Sequence, residues 1–488
     1  MVKPTDFPLE ADVHSLQRAM ADGTLSSVEL VHFYMKRIAR YNDLINAVLE
    51  LNPDAEYIAA ARDAERKERG PRSPLHGVPV LLKDNIDTAD KCHTSAGSIA
   101  LKDAYAARDA FIVKKLRKAG AVILGKANMT EWANFMSDRM PSGYSSRGGQ
   151  VQNPYGPGRF DVGGSSSGSA AAVAANFTAL AVGTETSGSI LNPASQNNIV
   201  GIKPTIGLVS RTGIIPISHS QDTAGPMART VRDAALLLNF LAGEDPEDPV
   251  TGLAAFHQAQ DYTAFLNANG LKGKRIGVPR PRFYEGCPAP IVARIDEALK
   301  AMEALGAEIL DPVTIPEAPA EESIDVLIYE FKPALNHYLK SVAPHVPVHS
   351  LRELIAFNAA HADAALRYGQ SLLEASEKTS GTLAEREYIQ ARLDDLRYAR
   401  TDGIDRVMAE YRLDALVFPS SWGAGIAAKA GYPSINVPAG FTDEGEPVGI
   451  TFTARAFEEP KLIEMGYAFE QTTRHRRAPS LEKAPAFS

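Results

Sequence analysis

Residues 161–193 constrain this chain more than any other stretch, because two serine-rich segments there enclose one short helix and one short strand. Across residues 163–175 almost no side chain is larger than serine, so the backbone can approach another backbone or a ligand closely. Residues 170–175 predict a buried helix, and 178–182 predict an apolar strand that leads to a second loop at 183–189. Hydroxyl and free N–H groups from two such loops suit a phosphate or an oxyanion equally well, so the stretch predicts an anion site without naming the reaction.

The composition argues against nucleic acid or a membrane as the main partner. The 488 residues carry a formal net charge of −8, and the only basic cluster, 474–477, is expected to be a solvated surface. The first residues lack an apolar segment and no uncharged run reaches the length of a membrane span, so we expect a cytoplasmic protein. Cys92 and Cys287 are the only cysteines, which indicates neither a disulfide framework nor a metal-ligand cluster, and we expect no cofactor.

Helix and strand patterns alternate over most of the chain. A helical pattern at 109–120 precedes an apolar strand at 121–126, and another helix and strand follow at 291–309, which indicates an α/β layer architecture. Residues 318–408 lack strand signals and carry aromatic residues at helical spacing. They therefore predict a helical cover over the sheet, where a substrate pocket is shaped.

Lys83 stands at an unusual place, directly after the apolar residues of a short strand predicted at 75–82. A lysine at a strand end commonly extends its side chain to water, and that interpretation assigns it no function. Alternatively, Lys83 is buried and acts as a base, because burial lowers the pKa of a lysine. The residues alone leave both interpretations open.

The pentapeptide 164–168 matches the G-x-S-x-G pattern of α/β-hydrolases, which would make Ser166 a nucleophile. That elbow lies between an apolar strand and a helix, whereas the residues before Gly164 form a poor strand pattern. No acidic residue and histidine stand out downstream as triad partners. We therefore interpret Ser166, Ser167 and Ser169 as turn or helix-cap hydroxyls.

Lys83 and the two serine segments belong to a longer pattern that resembles the amidase signature family of serine hydrolases. The matching segments are 77–87, 163–171, 183–190, 201–210, 222–229 and 431–438. The resemblance implies a single α/β domain over residues 1–488, with a central mixed, twisted sheet covered by helices on both faces. We expect its parts to be a core at 70–242 and 410–477, N-terminal helices at 11–69 and the helical cover at about 318–408.

Carried over position by position, the family's Ser-Ser-Lys triad corresponds to Lys83, Ser165 and Ser189. The resemblance implies that neutral Lys83 draws a proton through Ser165 while Ser189 attacks an amide carbonyl and forms an acyl-enzyme. It also implies a cis peptide bond at Ser165. Ser187 lies two residues before Ser189 and is a rival nucleophile, although the family's register places it in the oxyanion loop.

The same register implies an oxyanion hole made by the backbone N–H groups of Thr186, Ser187, Gly188 and Ser189. The loop that holds Ala133 and Asn134 precedes the first serine segment, and we expect these two residues to contact substrate. Core packing is an equally good interpretation of their neighbours Trp132 and Phe135. We expect Asp222 to brace the loops rather than to act as a base.

The pattern departs from the family at Leu191, where many members carry arginine. This difference weakens the case for an A-type amidotransferase component that makes ammonia from glutamine, while segments 183–186, 207–218 and 220–229 resemble bacterial peptide amidases. We therefore expect a monomeric or homodimeric amidohydrolase that acts on a small-molecule or peptide amide. A component of an amidotransferase complex, a hydrolase of aryl amides, carbamates or esters, and a non-catalytic binder on the same fold remain alternatives.

Overall fold

The strands of this chain lie mainly in one large sheet. The computed structural model describes residues 7–317 and 323–481. The strands are β1 Val48–Leu51, β2 Pro79–Lys83, β3 Val122–Ala127, β4 Tyr144–Ser145, β5 Gly149–Gln150, β6 Leu180–Glu185, β7 Val200–Lys203, β8 Thr223–Ala228, β9 Arg275–Gly277, β10 Glu308–Leu310, β11 Ala415–Pro419, β12 Ser434–Phe441 and β13 Pro447–Thr453. Eleven of them form a single sheet in the order β1-β3-β2-β6-β8-β7-β12-β13-β11-β9-β10, and β4 pairs only with β5.

The sheet is mixed. Strand β2 runs parallel to its neighbours β3 and β6, whereas β6, β8, β7, β12, β13 and β11 are antiparallel from one strand to the next. The register pairs Leu82 of β2 with Val182 of β6. Strand β2 therefore ends level with Gly183, two residues before the end of β6, and Lys83 lies beside the C-terminal half of β6.

The helices alternate with these strands, as predicted. They are α1 Val13–Ala21, α2 Ser27–Ile45, α3 Ala55–Arg69, α4 Phe111–Ala119, α5 Ser167–Ala174, α6 Leu191–Gln196, α7 Val231–Leu241, α8 Ala254–His257, α9 Arg280–Phe283, α10 Ala289–Ala304, α11 Asp325–Leu339, α12 Leu351–Ala360, α13 Ala362–Ala365, α14 Ser371–Glu377, α15 Arg386–Asp394, α16 Arg406–Glu410, α17 Ala424–Ala430 and α18 Glu459–Thr473. A π-helical segment, Asp395–Asp405, joins α15 to α16. Over the described ranges, the structure contains no helix that is both long and apolar enough to cross a membrane.

Helices cover both faces of the sheet. On β12, Ile435 and Val437 lie against Gly466 of α18, whereas the intervening Asn436 donates a hydrogen bond to the carbonyl of Ile199, just beyond α6. Alternate residues of a strand point to opposite faces, so α18 and α6 lie on opposite sides. The expected α/β architecture, with a mixed sheet between helices, is confirmed.

Helices α11 to α15 form the helical cover and have an apolar cluster of their own. Phe331 and Leu335 of α11 pack in this cluster with Trp132 and Phe135, and the Phe135 and Phe331 ring centroids are 4.9 Å apart. Residues 318–322, with which the expected cover begins, lie outside the described residues. The cover therefore rests on the loop after β3, close to the end of β2.

The expectation of a solvated basic cluster at 474–477 is wrong for Arg476. The side chain of Arg476 is only 12% exposed and pairs with the Glu10 carboxylate at 2.7 Å. It also donates to the carbonyl oxygen of Ala174 at 2.8 Å. Arg476 therefore ties the end of the chain to its beginning and to the C-terminus of α5.

Candidate active site

Lys83 is the last residue of β2, and its side chain is completely buried. Its Nζ atom donates hydrogen bonds to Ser165 Oγ at 2.7 Å and to Thr184 Oγ1 at 2.9 Å. A third bond reaches the carbonyl oxygen of Thr184 at 3.1 Å. The side chain therefore points into the protein, and the interpretation of Lys83 as a lysine that extends to water is wrong.

Burial changes the acid strength of this lysine. Desolvation of the ammonium group lowers the pKa of Lys83 to about 7, and the nearby carboxylates of Glu185 and Asp222 oppose this decrease only in part. Near neutral pH a large fraction of Lys83 is therefore uncharged and carries a free lone pair. Such a group, 2.7 Å from a serine hydroxyl, can accept its proton.

The backbone holds Ser165 firmly on both sides. The Gly164–Ser165 peptide bond is cis, as the family resemblance implies. The N–H of Gly164 donates to Asn192 Oδ1 at 2.9 Å, and the carbonyl of Ser165 accepts from the N–H of Thr130 at 3.1 Å. A Cβ atom on Gly164 would lie 2.6 Å from Thr130 Oγ1, so only glycine fits this turn.

Strand β6 is longer than the sequence indicates. It continues to Glu185, which pairs with Thr223 of β8, so the predicted end at residue 182 is wrong and the second serine loop begins at Thr186. The longer strand is held against the start of α5, because Ser166 Oγ donates to the carbonyl of Thr184 at 3.0 Å and accepts from its N–H at 3.2 Å. Ser166 is thus a structural hydroxyl.

The loop from Thr186 to Ser189 leaves its backbone N–H groups available for a ligand. Over the described part of the chain, the N–H groups of these four residues donate to no protein acceptor. Gly188 has a φ of +87°, a left-handed conformation that favours glycine. Ser187 is exposed, whereas Ser189 is only 7% exposed, and the carbonyl of Ser189 accepts from the N–H of Ser166 at 3.1 Å. The fold therefore brings the two serine segments side by side.

Glu185 anchors the far end of this loop, and sequence reasoning missed it. Its Oε2 atom accepts from the N–H groups of Ile190 and Leu191 at 2.7 and 3.0 Å. Glu185 is almost completely buried in β6. An acidic residue directly before a glycine- and serine-rich loop was the signal available in the sequence.

Asp222 anchors the near end of the loop. Its Oδ1 atom accepts from Thr186 Oγ1 at 2.5 Å, while Oδ2 accepts from the N–H groups of Ile217 and Ser218 at 2.8 and 2.9 Å. Burial raises the pKa of Asp222 to about 6. These contacts are the bracing that the sequence leads us to expect of Asp222.

Glu330, on helix α11 of the cover, was also missed. Its buried carboxylate accepts from the N–H of Ser220 at 3.0 Å and from the hydroxyl of Tyr388 at 2.8 Å. Ser220 belongs to the same turn that Asp222 holds. The cover is therefore linked through this turn to Thr186, over a sequence separation that no local pattern reveals.

The structure places Ala133 and Asn134 in an unusual backbone segment. Trp132, Ala133 and Asn134 have φ values of +50°, +55° and +70°, which non-glycine residues seldom adopt. The buried side chains of Trp132 and Phe135 fix the segment, so their interpretation as core residues is correct. A cavity of about 90 Å³ is lined by Ala133 together with Asn85, Thr184 and Thr186, whereas Asn134 is exposed.

Sequence and structure comparisons relate this chain to known amidases. A family model described as Amidase matches residues 29–424. The chain is 43% identical to a probable amidase of Arabidopsis thaliana over 96% of this chain and 91% of that protein, and 34% identical to the A component of a glutamyl-tRNA(Gln) amidotransferase of Methylobacillus flagellatus over 96% and 98%. The crystal structure of the native peptide amidase from Stenotrophomonas maltophilia is similar with a TM-score of 0.91 and 48% identity, covering 97% of this chain and 99% of that one.

Proposed function

Because this chain belongs to the amidase family and is an amide-hydrolysing enzyme, we propose that it cleaves linear carboxylic amides through an acyl-enzyme on Ser189. The observation that carries the proposal is the buried Lys83, whose pKa is lowered to about 7 and whose Nζ lies 2.7 Å from Ser165 Oγ. Such a lysine supplies a base without a histidine. We assign Ser189, whose carbonyl accepts from the N–H of Ser166 beside Ser165, as the next group in the proton route.

In the proposed first half-reaction, neutral Lys83 accepts the proton of Ser165 as Ser165 accepts that of Ser189. Ser189 Oγ forms a bond to the amide carbonyl carbon, and the carbonyl π electrons move onto its oxygen. When the C–N bond breaks, the proton returns from Lys83 through Ser165 to the leaving nitrogen. Water then attacks the ester of Ser189 by the same proton route and releases the carboxylic acid.

The developing oxyanion needs donors that are already in place. We propose that these are the N–H groups of Thr186, Ser187, Gly188 and Ser189, for which removal of one donor costs about 10²- to 10³-fold in rate. Glu185 and Asp222 hold the two ends of this loop through the hydrogen bonds described above. Their role in the proposal is to position the donors before substrate arrives.

Thr186→Val tests this positioning role. The variant removes the hydroxyl that donates to Asp222 at 2.5 Å, and a hydrogen bond to a charged group is worth about 1.5 to 3 kcal/mol. We expect kcat to fall about 10- to 100-fold, with KM changed less than about twofold. Thr186→Ser keeps the hydroxyl and serves as the control, so restored kcat in this variant supports the role. Equal loss in the two variants, or none in either, contradicts it.

We propose peptide amides as the substrate class. The likeness to a peptide amidase extends over nearly the whole chain, and the loop segments around the site carry the same resemblance. Leu191, which stands where the amidotransferase branch commonly has arginine, is completely buried. Because leucine is apolar, this position offers no charged group to the amino-acid carboxylate of glutamine.

A second candidate function is that of an amidotransferase component, which the 34% identity to the Methylobacillus flagellatus protein favours. One experiment separates the two. The purified chain is assayed alone against peptide amides, anilides, carbamates and free glutamine, with release of ammonia and of amine measured separately. We expect ammonia from peptide amides without a partner. Glutamine hydrolysis that begins only when a partner protein is present would favour the alternative.

A further inference from the structure

Neutral Lys83 has two hydrogens and one lone pair to distribute among three neighbouring oxygens. These oxygens are Ser165 Oγ at 2.7 Å, Thr184 Oγ1 at 2.9 Å and the carbonyl oxygen of Thr184 at 3.1 Å. A carbonyl oxygen only accepts, so it takes one of the two hydrogens. The lone pair can therefore face Ser165 only if the Thr184 hydroxyl accepts the other hydrogen.

Asn85 holds that hydroxyl in place. Its Nδ2 atom donates a hydrogen bond to Thr184 Oγ1 at 3.0 Å, so the hydroxyl oxygen contacts both Asn85 and Lys83. The backbone of Asn85 is itself fixed, because its carbonyl accepts from the N–H of Ile215 at 2.8 Å. A change of rotamer at Thr184 would break the bond to Asn85. The amide therefore restrains the hydroxyl beside the lysine.

The bond to Thr184 is the only hydrogen bond that the Asn85 side chain makes over residues 7–317 and 323–481. Asn85 is 2% exposed, and its Oδ1 atom has no partner in the same part of the chain. A buried acceptor without a partner is destabilising, and an apolar side chain would avoid this penalty. The contact with Thr184 therefore accounts for an amide at a position that packing alone would fill with an apolar residue.

We propose that Asn85 is a positioning residue, whose amide holds the Thr184 hydroxyl toward Lys83 and thereby directs the lone pair of the lysine at Ser165. The inference rests on the proposed function, in which neutral Lys83 accepts the proton of Ser165. In this role Asn85 acts through Thr184 and accepts no proton itself.

The charge at position 85 bears on the same lysine. Asn85 Nδ2 is separated from Lys83 Nζ by two hydrogen bonds through Thr184 Oγ1, so a carboxylate in its place would attract the ammonium form. The carboxylates that already oppose the lowered pKa of Lys83 are those of Glu185 in β6 and Asp222 in the turn before β8, and burial outweighs them. An uncharged donor at position 85 leaves this balance undisturbed.

Two acidic side chains lie close to Asn85 in the chain, and each has a partner of its own. Asp84 accepts from the N–H of Gly97 at 3.1 Å. Asp87 accepts from the hydroxyl of Tyr338 at 2.8 Å. Both carboxylates are therefore engaged with groups outside the proposed proton route.

Asn85→Asp tests the role with a side chain of nearly the same size. Its carboxylate should stabilise the ammonium form and raise the pKa of Lys83, so the neutral amine appears only at higher pH. We expect the midpoint of the kcat/KM profile to move upward from near pH 7 by about 1 pH unit or more.

Asn358→Asp is the matched control. Asn358, in helix α12 of the cover, is also buried, donates one hydrogen bond of 3.0 Å and leaves its Oδ1 atom without a partner among the described residues. This variant should leave the midpoint of the pH profile unchanged.

Asn85→Leu removes the amide without adding a charge. We expect kcat to fall about 10-fold or more, with KM changed less than about twofold, because the lone pair of Lys83 is no longer directed at Ser165. In a Thr184→Val background, which lacks the hydroxyl, Asn85→Leu should cause no further loss of kcat. Such non-additivity distinguishes a residue that acts through Thr184 from one that only supports the fold.

Two results would overturn the role of Asn85. They are an unchanged midpoint in Asn85→Asp, and equal losses of kcat for Asn85→Leu in the wild-type and Thr184→Val backgrounds. Asn85→Asp decides the question even if the leucine variant does not fold, since aspartate and asparagine have nearly the same shape. Failure of the proposed function looks different, because it requires that Ser189→Ala keep its activity or that the wild type hydrolyse no amide.

Discussion

Ser189→Ala is expected to lower kcat about 10⁴-fold or more for every amide that the wild-type chain hydrolyses. Alanine keeps the backbone N–H of residue 189 and its place in the loop, so the loss reports the hydroxyl alone. We expect the residual rate to come from binding and from the proposed oxyanion donors. Steady-state kinetics on the best peptide amide measures the effect.

Ser187→Ala is the matched control for this result. Ser187 belongs to the same loop, two residues away, and its hydroxyl is exposed. We expect this variant to retain kcat within about 10-fold of the wild type. A fluorophosphonate probe should label the wild type and Ser187→Ala but not Ser189→Ala. The reverse pattern of labelling and activity would show that Ser187 is the nucleophile.

Lys83→Met is expected to lower kcat about 10³-fold or more, because it removes the proposed base while nearly preserving side-chain length. The chain offers a matched control in Lys203, which is also completely buried and whose pKa burial lowers to about 8. Lys203 Nζ donates to the carbonyl oxygens of Tyr432 at 2.6 Å and Pro204 at 3.2 Å, and within residues 7–317 and 323–481 it donates to no serine hydroxyl. Lys203→Met should affect thermal stability but retain most of kcat. Similar losses of kcat in both variants would show that burial of a lysine, rather than base catalysis, matters.

The wild-type pH profile tests the same role of Lys83 without substitution. The proposed mechanism uses the neutral amine, and its fraction rises as pH increases through the lowered pKa of Lys83, about 7. We therefore expect kcat/KM to increase with pH, to be half-maximal near pH 7 and to level off above about pH 8. An increase that continues beyond pH 9 would indicate a lysine with an ordinary pKa. Such a profile would contradict the proposed base.

Much of the fold could be predicted because its signals are local. The capping box that starts α2 joins Ser26 and Glu29, three residues apart, and the sequence pattern for it is direct. The small residues around Gly164 are also a local signal, whereas the close approach of Thr130 that excludes a larger residue there comes from the tertiary structure. The end of β6 was predicted three residues early, because Gly183 and Glu185 have weak strand propensity and pairing with β8 overrides it.

The residues that sequence reasoning missed act over long separations. Glu330 meets Ser220 across 110 positions of the chain, and Arg476 meets Glu10 across 466. The sequence around Glu330 in helix α11 does not indicate which distant residue its carboxylate contacts. Only the packing of the cover on the core brings Glu330 to the turn that holds Asp222.

The sequence by itself determined which chemical groups are present and which loops can approach each other closely, through the small residues at 163–175 and the order of the family's segments. Only the tertiary structure decided between the two interpretations of Lys83, a side chain that extends to water and a buried side chain with a lowered pKa. Its pKa is low because the pairing of β2 with β6 buries it next to Thr184 and Ser165, and desolvation depends on these neighbours rather than on the lysine's own position in the chain.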